Sequence, residues 1–324
     1  MKNVIIIGAG ELGSRHLQGI LKCPSALFVF VVDPNPNSLQ TAQERAKLIP
    51  HKHKVNYLKT IEDVSTNIDI GIVATTANVR EQVLVDLLNK IQIRHLILEK
   101  VLFQSISSFQ IIGDLLKKKM VCAWVNHPRR MFPYYQKINE TIKDKQLNTF
   151  QCEVSGYNWG IGCNGLHFID LCAYLNSESK IKQINCDLID KKIAQNKRAG
   201  FIDFTGSLKL IFDDESSCKL MSNNLNSGPL IVSIKTNEDS WKITESNPVS
   251  ILHSDKQLIN KESSCDALFQ SDLSTLLIED LIHKDLCNLP SYEDACKLHI
   301  PFIKALLKCY NEIMNTKDTA LKIT

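Results

Sequence analysis

The chain has 324 residues, 44% hydrophobic and 23% charged, an ordinary globular composition that excludes disordered and collagen-like classes. At roughly 100–200 residues per domain this length predicts two domains. Thirty-eight Lys and Arg against 35 Asp and Glu leave a formal charge of +3, too little to imply nucleic acid, and no apolar run nears the roughly 18 residues that would imply a membrane.

From Lys2 to Asn126 short apolar runs alternate with segments of helical period. Strands are predicted at Asn3–Ile7, Leu27–Asp33, Val55–Leu58, Asp69–Ala74, His95–Glu99 and Val121–Asn126, and helices at Leu12–Leu21, Ser38–Leu48, Val79–Leu88 and Ile106–Leu116. Near-continuous Val/Ile/Leu strands joined by helices predict a doubly wound parallel sheet buried on both faces. After residue 126 the pattern changes. A strand at Thr149–Ser155 and a helix at His167–Leu175 lead to strands at Ser207–Phe212, Ser217–Ser222, Leu230–Thr236 and Ser240–Thr244. Turns at Asp213-Asp214-Glu215, Asn226-Ser227-Gly228 and Asn237-Glu238-Asp239 separate the later strands without helices between them, which predicts a mostly antiparallel sheet. Helical period returns at Asp266–His283 and Glu293–Met314. The fold class is α/β: residues 1–126 are predicted to form the doubly wound domain, and residues 127–324 an α+β domain with an open sheet.

Gly8-Ala9-Gly10-Glu11-Leu12-Gly13 follows the first strand and opens a helix, and Asp33 stands 20 residues beyond Gly13. This is the pattern of a dinucleotide fold. Gly8 permits the tight turn, Gly10 lets a pyrophosphate approach the backbone, and Gly13 lets helix pack on strand, while Asp33 accepts the ribose hydroxyls. A carboxylate there repels a 2′-phosphate, which favours NAD over NADP. Ala74, Thr75 and Thr76, with Asn78, end the fourth strand, and Glu99-Lys100 ends the fifth, at the edge where such a sheet binds its ligand. Asn78 reads equally as a cofactor contact or a helix cap. Lys100 reads either as a solvated surface residue or, partly desolvated, as an acid/base with a lowered pKa.

Together with Arg15-His16, Asp33-Pro34-Asn35-Pro36, Arg129-Arg130, Pro133 and Gly165-Leu166-His167-Phe168-Ile169-Asp170, these residues resemble the glucose-fructose oxidoreductase / inositol dehydrogenase / MocA (Gfo/Idh/MocA) family, over about the first 175 residues. The resemblance implies a Rossmann domain and a substrate domain whose sheet makes a homodimer or homotetramer. It also implies hydride exchange between a nicotinamide and a secondary alcohol or carbonyl of a sugar or sugar derivative. Lys100 would be the lysine of the family's Glu-Lys-Pro motif, here Glu99-Lys100-Val101, and His167 the histidine that bonds the reacting hydroxyl. The Arg129–Pro133 and Cys163-Asn164 variants are similar to members associated with surface-carbohydrate synthesis.

The family commonly has an aspartate four residues before that histidine, and here the position is Cys163. A neutral thiol neither anchors a protonated lysine nor readily receives a proton. Three readings follow: Lys100 and His167 suffice, another carboxylate or a substrate group substitutes, or the chain binds cofactor and sugar as a sensor without redox chemistry. A nucleophilic Cys163 would need an adjacent base. Tyr157, Asn158 and Trp159 suit sugar recognition, with core packing as the alternative for Trp159. Only one of Arg129 and Arg130 is expected to meet an anionic substrate group, with Arg129 the candidate, the other to brace the domain junction, and Asp170 to orient His167 or make a structural bond. The eleven cysteines, odd in number and without a CxxC pair, predict a reduced cytoplasmic protein with neither disulfides nor a metal site. The N-terminus lacks the apolar length of a secretory signal.

Overall fold

Six parallel strands arise from the apolar runs of the first 125 residues. In the computed structural model, which describes residues 1–147, 150–177, 179–223, 228–257 and 259–324, this part runs β1 (Lys2–Ile7), α1 (Glu11–Leu21), β2 (Leu27–Val32), α2 (Pro36–Lys47), β3 (Lys54–Leu58), β4 (Ile68–Val73), α3 (Ala77–Lys90), β5 (Ile93–Leu98), α4 (Ile106–Lys118) and β6 (Cys122–Val125). The sheet order is β3-β2-β1-β4-β5-β6, with every pairing parallel. The last four residues of β1, β2, β4 and β5 are all buried, as strands covered on both faces must be. The order reverses between β1 and β4, and in such sheets the crevice beyond the carboxyl ends there is the ligand position.

The chain continues as α5 (Pro133–Asp144), β7 (Gln151–Tyr157), α6 (Ile161–Leu175), β8 (Ile181–Ile189), β9 (Ala194–Gln195), β10 (Ile202–Asp203), β11 (Gly206–Phe212), β12 (Ser217–Asn223), β13 (Leu230–Lys235), β14 (Ser240–Glu245), β15 (Val249–Ser254), β16 (Asn260–Cys265), α7 (Gln270–His283) and α8 (Tyr292–Met314). The second sheet has the order β16-β15-β14-β13-β7-β12-β11-β8. It is antiparallel except where β7 pairs with β12.

Several elements escaped the sequence pattern for identifiable reasons. Strand β16, Asn-Lys-Glu-Ser-Ser-Cys, sits at a sheet edge and carries no apolar alternation. Edge strand β8 buries few residues. Helix α6 starts six residues before the expected His167 because Gly162 and Gly165 mask its period. Gly165 is there for close approach: a Cβ would lie 3.2 Å from both Leu220 Cδ1 and Phe302 Cζ. The expected turns at Asp213–Glu215 and Asn237–Asp239 are present. Asn226 and Ser227 of the third turn, and Thr149 at the expected start of β7, lie outside the described residues.

The expected division at residue 126 is amended. Met1–Phe103, Ser107–Pro128 and Leu268–Ala295 form one compact unit; Gln104–Ile106, Arg129–Ala267 and Cys296–Thr324 form the other. Helix α7 thus returns to the nucleotide domain and packs on α1 at Gly19, where Thr275 Oγ1 donates to the Gly19 carbonyl at 2.7 Å and Lys22 pairs with Asp272 at 2.8 Å. No sequence period reports such a partnership across 250 residues. Among the described residues all eleven cysteines are thiols, and no helix is long and apolar enough to cross a membrane.

A Cβ on Gly19 would sit 2.2 Å from the Ser271 carbonyl oxygen, which is backbone and unable to rotate away. Gly19→Ala is therefore expected to destabilise the first unit by about 1–3 kcal/mol, read as a lower urea midpoint; an unchanged midpoint would contradict this packing.

Candidate active site

The first unit gathers its predicted residues along the carboxyl edge of its sheet. Gly8 leaves β1 with φ +93°, a left-handed conformation that favours glycine, and a Cβ there would press to 3.0 Å from the Ala74–Thr75 backbone. Gly13 lies so close to the turn that a Cβ would overlap the Gly8 carbonyl oxygen, at 1.7 Å. Gly10 differs, because a Cβ there would meet nothing within 4 Å. It is also the N-cap of α1, without a side-chain cap bond, so the amides of Glu11, Leu12 and Gly13 open the helix beside vacant space. Such a helix end suits a phosphate group.

Asp33 follows β2. Its Oδ2 accepts from the Ala9 amide at 2.7 Å and its Oδ1 from the Asn35 amide at 2.8 Å, so two backbone donors fix the carboxylate beside the glycine turn. The nearby cation, Arg45, is engaged by both carboxylate oxygens of Glu11 at 2.8 and 2.7 Å and by Ser14. That hydrogen bond holds the exposed Glu11 carboxyl below its ordinary range.

After β4, the buried Oγ1 of Thr75 has no hydrogen-bond partner among the described residues. Thr76 occupies the N-cap of α3, and Asn78 is an exposed residue inside the first turn, so the cap reading of Asn78 is corrected. The uncapped amides of α1, the open position at Gly10, the oriented Asp33 and the orphaned Thr75 hydroxyl together fit a dinucleotide.

The Glu99 side chain, which stands on this edge in the sequence reading, is turned inward. Only 3% exposed, it accepts from Asn126 Nδ2 and lies 2.9 Å from His16 Nε2. Burial alone would raise its pKa, but the hydrogen bond and electrostatic pull of His16, with help from Asn126 and Lys100, hold it below the ordinary carboxylate range. Lys100 is half-buried, and its peptide bond to Val101 is cis. The fully buried Arg80 on α3 donates to the carbonyls of Thr75, Val101 and Leu102, joining the loops that follow β4 and β5. Neither Arg80 nor the His16–Glu99–Asn126 cluster was picked out as functional from the sequence. His16 stood inside the motif series, but nothing local marks Arg80.

In the second unit, α6 carries Cys163, Asn164 and His167, with His167 half-buried one turn beyond Cys163. The helix N-cap, Gly160, has no side chain, and Asp203 of β10 supplies the missing acceptor. Its Oδ1 receives the amides of Gly162 at 2.7 Å and Cys163 at 3.3 Å, and a Cβ on Gly160 would sit 2.2 Å from its Oδ2. Asp203 had no sequence signal, because it lies forty residues from the end it caps. The Cys163 thiol donates to the main-chain oxygen of Thr324 at 2.8 Å.

Both arginines of the tandem pair have carboxylate partners within the second unit. Arg129 forks onto Glu245 at 2.9 and 2.6 Å and lies 3.9 Å above the Phe168 ring. Arg130 forks onto the fully buried Asp170 at 2.9 and 2.7 Å, so Asp170 has the structural role. Trp159 donates its indole N–H to the Met221 carbonyl at 2.7 Å and packs edge-on against Phe168, the core reading of that residue. Asn164 donates to the Trp159 carbonyl. Tyr157 and Asn158, at the end of β7, are exposed.

Because the folded-state pKa of Glu99 is lowered, its pairing contributes stability above the unfolded value of about 4.3 and loses it as pH falls through the folded value. Glu99→Gln is expected to melt below wild type at pH 7, with the gap closing below about pH 4. A gap independent of pH would contradict the pairing.

Residues 2–127 match the GFO_IDH_MocA family profile, described as "Oxidoreductase family, NAD-binding Rossmann fold". Comparison with curated proteins finds no match. Solved structures share the fold over both units. An Agrobacterium radiobacter oxidoreductase in complex with NAD+, L-tartaric acid and magnesium aligns at 12% identity, covering 94% of each chain with a TM-score of 0.74. An aldose-aldose oxidoreductase from Caulobacter crescentus aligns at 14%, covering 96% of this chain and 98% of that one, with a TM-score of 0.72. The super-repressor mutant of Gal80p from Saccharomyces cerevisiae aligns at 16%, covering 97% and 96%, with a TM-score of 0.73. The match to the Gfo/Idh/MocA oxidoreductase family is thus carried by residues 2–127, the nucleotide domain.

Proposed function

We propose that the protein is an NAD-dependent oxidoreductase that moves a hydride between the nicotinamide and a secondary alcohol or carbonyl of a sugar-like substrate. The observation that carries this reading is Lys100. It stands on the same sheet edge as the glycine turn and Asp33, between Glu99, whose carboxylate is held by His16 and Asn126, and Val101, whose carbonyl accepts from Arg80. When bound, the cofactor supplies the hydride acceptor or donor. The chain's own residues supply orientation and proton handling. Asp33 receives the ribose hydroxyls, and its charge disfavours a 2′-phosphate that Arg45, tied to Glu11, does not offset.

Lys100 takes the hydroxyl proton in the oxidative direction, and His167 donates a hydrogen bond to the substrate, the roles implied by the family resemblance. Tyr157 and Asn158 are assigned to sugar recognition, with Cys163 and Asn164 on the helix that carries His167. A nucleotide-linked sugar of surface-carbohydrate synthesis, and a homodimer or homotetramer through the second sheet, belong to the same proposal.

A second reading is a non-catalytic sensor that binds NAD and sugar. It is favoured by Cys163, which offers a thiol engaged with a main-chain oxygen where the family has a carboxylate. A repressor among the structures of similar fold is consistent with it.

NADH titration followed by assays over a sugar panel separates the two readings. Turnover is expected, whereas NADH binding without turnover across the panel would establish the sensor. Lys100→Met is expected to lower kcat by about 10²–10⁴-fold with NADH affinity retained, and turnover near wild type would remove Lys100 from the mechanism. Asp33→Ser is expected to reduce the ratio of NADPH to NADH dissociation constants, and an unchanged ratio would contradict the assigned role of Asp33.

A further inference from the structure

Three sulfurs meet inside the second unit, on residues that the proposed function does not use. Cys152 and Cys218 are direct register partners on the parallel strands β7 and β12, both on the face toward α6. Helix α6 packs on that face at Gly165 against Leu220. Two turns along the helix and two residues back along the strand, the same contact places Cys172 over the cysteine pair. All three residues are at most 3% exposed, and their Sγ atoms lie within 4.8 Å of one another. Among the described residues no other His, Cys, Asp or Glu joins the group.

We propose that Cys152, Cys172 and Cys218 form a three-thiolate site for trivalent arsenic, taken up as arsenite. Three features of the cluster select this class of ion. Zinc and iron–sulfur centres are usually closed by four protein donors, and three are present. With bonds of roughly 2.3 Å, three sulfurs around one ion stand about 4 Å apart or less, which the triad reaches with little movement. Charge decides among three-coordinate ions. Monovalent copper on three thiolates leaves two negative charges where, among the described residues, no Lys or Arg acts on the three thiols, and burying such charge is costly. A trivalent ion leaves none.

The reaction balances without an oxidant. As(OH)3 and three thiols give As(SCys)3 and three waters, each S–H proton leaving with one hydroxide while arsenic stays trivalent. Arsenous acid is neutral at pH 7, so it enters a transiently opened core without carrying charge.

The test uses the reduced full-length chain under anaerobic conditions with sodium arsenite. One arsenic per chain is expected by native mass spectrometry, with three sulfur ligands by X-ray absorption and an arsenic-edge anomalous peak between β7, β12 and α6 in crystals. Cys172→Ala and Cys218→Val are expected to lose that arsenic at concentrations that saturate wild type, whereas Cys122→Ser and Cys186→Ser keep it. Absence of arsenic from wild type, two-sulfur coordination, retention in folded Cys172→Ala, or a three-sulfur copper(I) complex formed in preference to arsenic would each overturn the proposal. The anomalous peak is read on wild type, so the result stands even where a variant fails to fold.

Discussion

The carboxylate of Glu99 lies beneath the point where β5 ends, and the nucleotide edge above it depends on that charge being satisfied. An ionised carboxylate in the interior costs several kcal/mol unless it is paired and hydrogen-bonded. Here His16 of α1 and Asn126 after β6 both bond Oε1. These two partners extend in turn to α7, His16 through Ser274 and Asn126 through Gln270. One buried charge thereby ties the helix that opens at Gly10 to the segment after β5 that carries Lys100. It also explains why α7, distant in sequence, belongs to the nucleotide unit: two of its polar residues complete the network around Glu99.

Arg80 acts on the same edge from the other side. Its guanidinium cannot be left buried without acceptors, and the carbonyls of Thr75, Val101 and Leu102 provide them. The loops after β4 and β5 are consequently held to each other. In the second unit charge is again used for placement. Arg129 with Glu245 packs over Phe168, and Arg130 with Asp170 grips α6 one turn past His167, while Asp203 caps its start. The helix carrying Cys163 and His167 is fixed at its N-terminus and along its length.

Much of this was legible in the sequence. The strand–turn–helix around Gly8 and Gly13 is local, and the Asp33 carboxylate lies at a fixed offset set by one helix and one strand, so the nucleotide edge could be read from spacing alone. The apolar period placed the six parallel strands within a residue or two at most ends. The second unit was less legible. Its edge strands carry polar residues because one face and one edge meet solvent, and α6 hides behind glycines that exist for close packing.

The sequence by itself determined the doubly wound domain, its dinucleotide pattern, and the order of Glu99-Lys100 before His167, because each depends on residues near one another in the chain. Only the tertiary structure decided what the charged and thiol side chains do. It turned Glu99 inward, committed Arg129 and Arg130 to Glu245 and Asp170, gave α6 its cap from Asp203, and brought Cys152, Cys172 and Cys218 together. Each of these partnerships spans roughly twenty to one hundred and sixteen residues, and the cost of burying a polar group unpartnered, which no local pattern records, is what selects the partner.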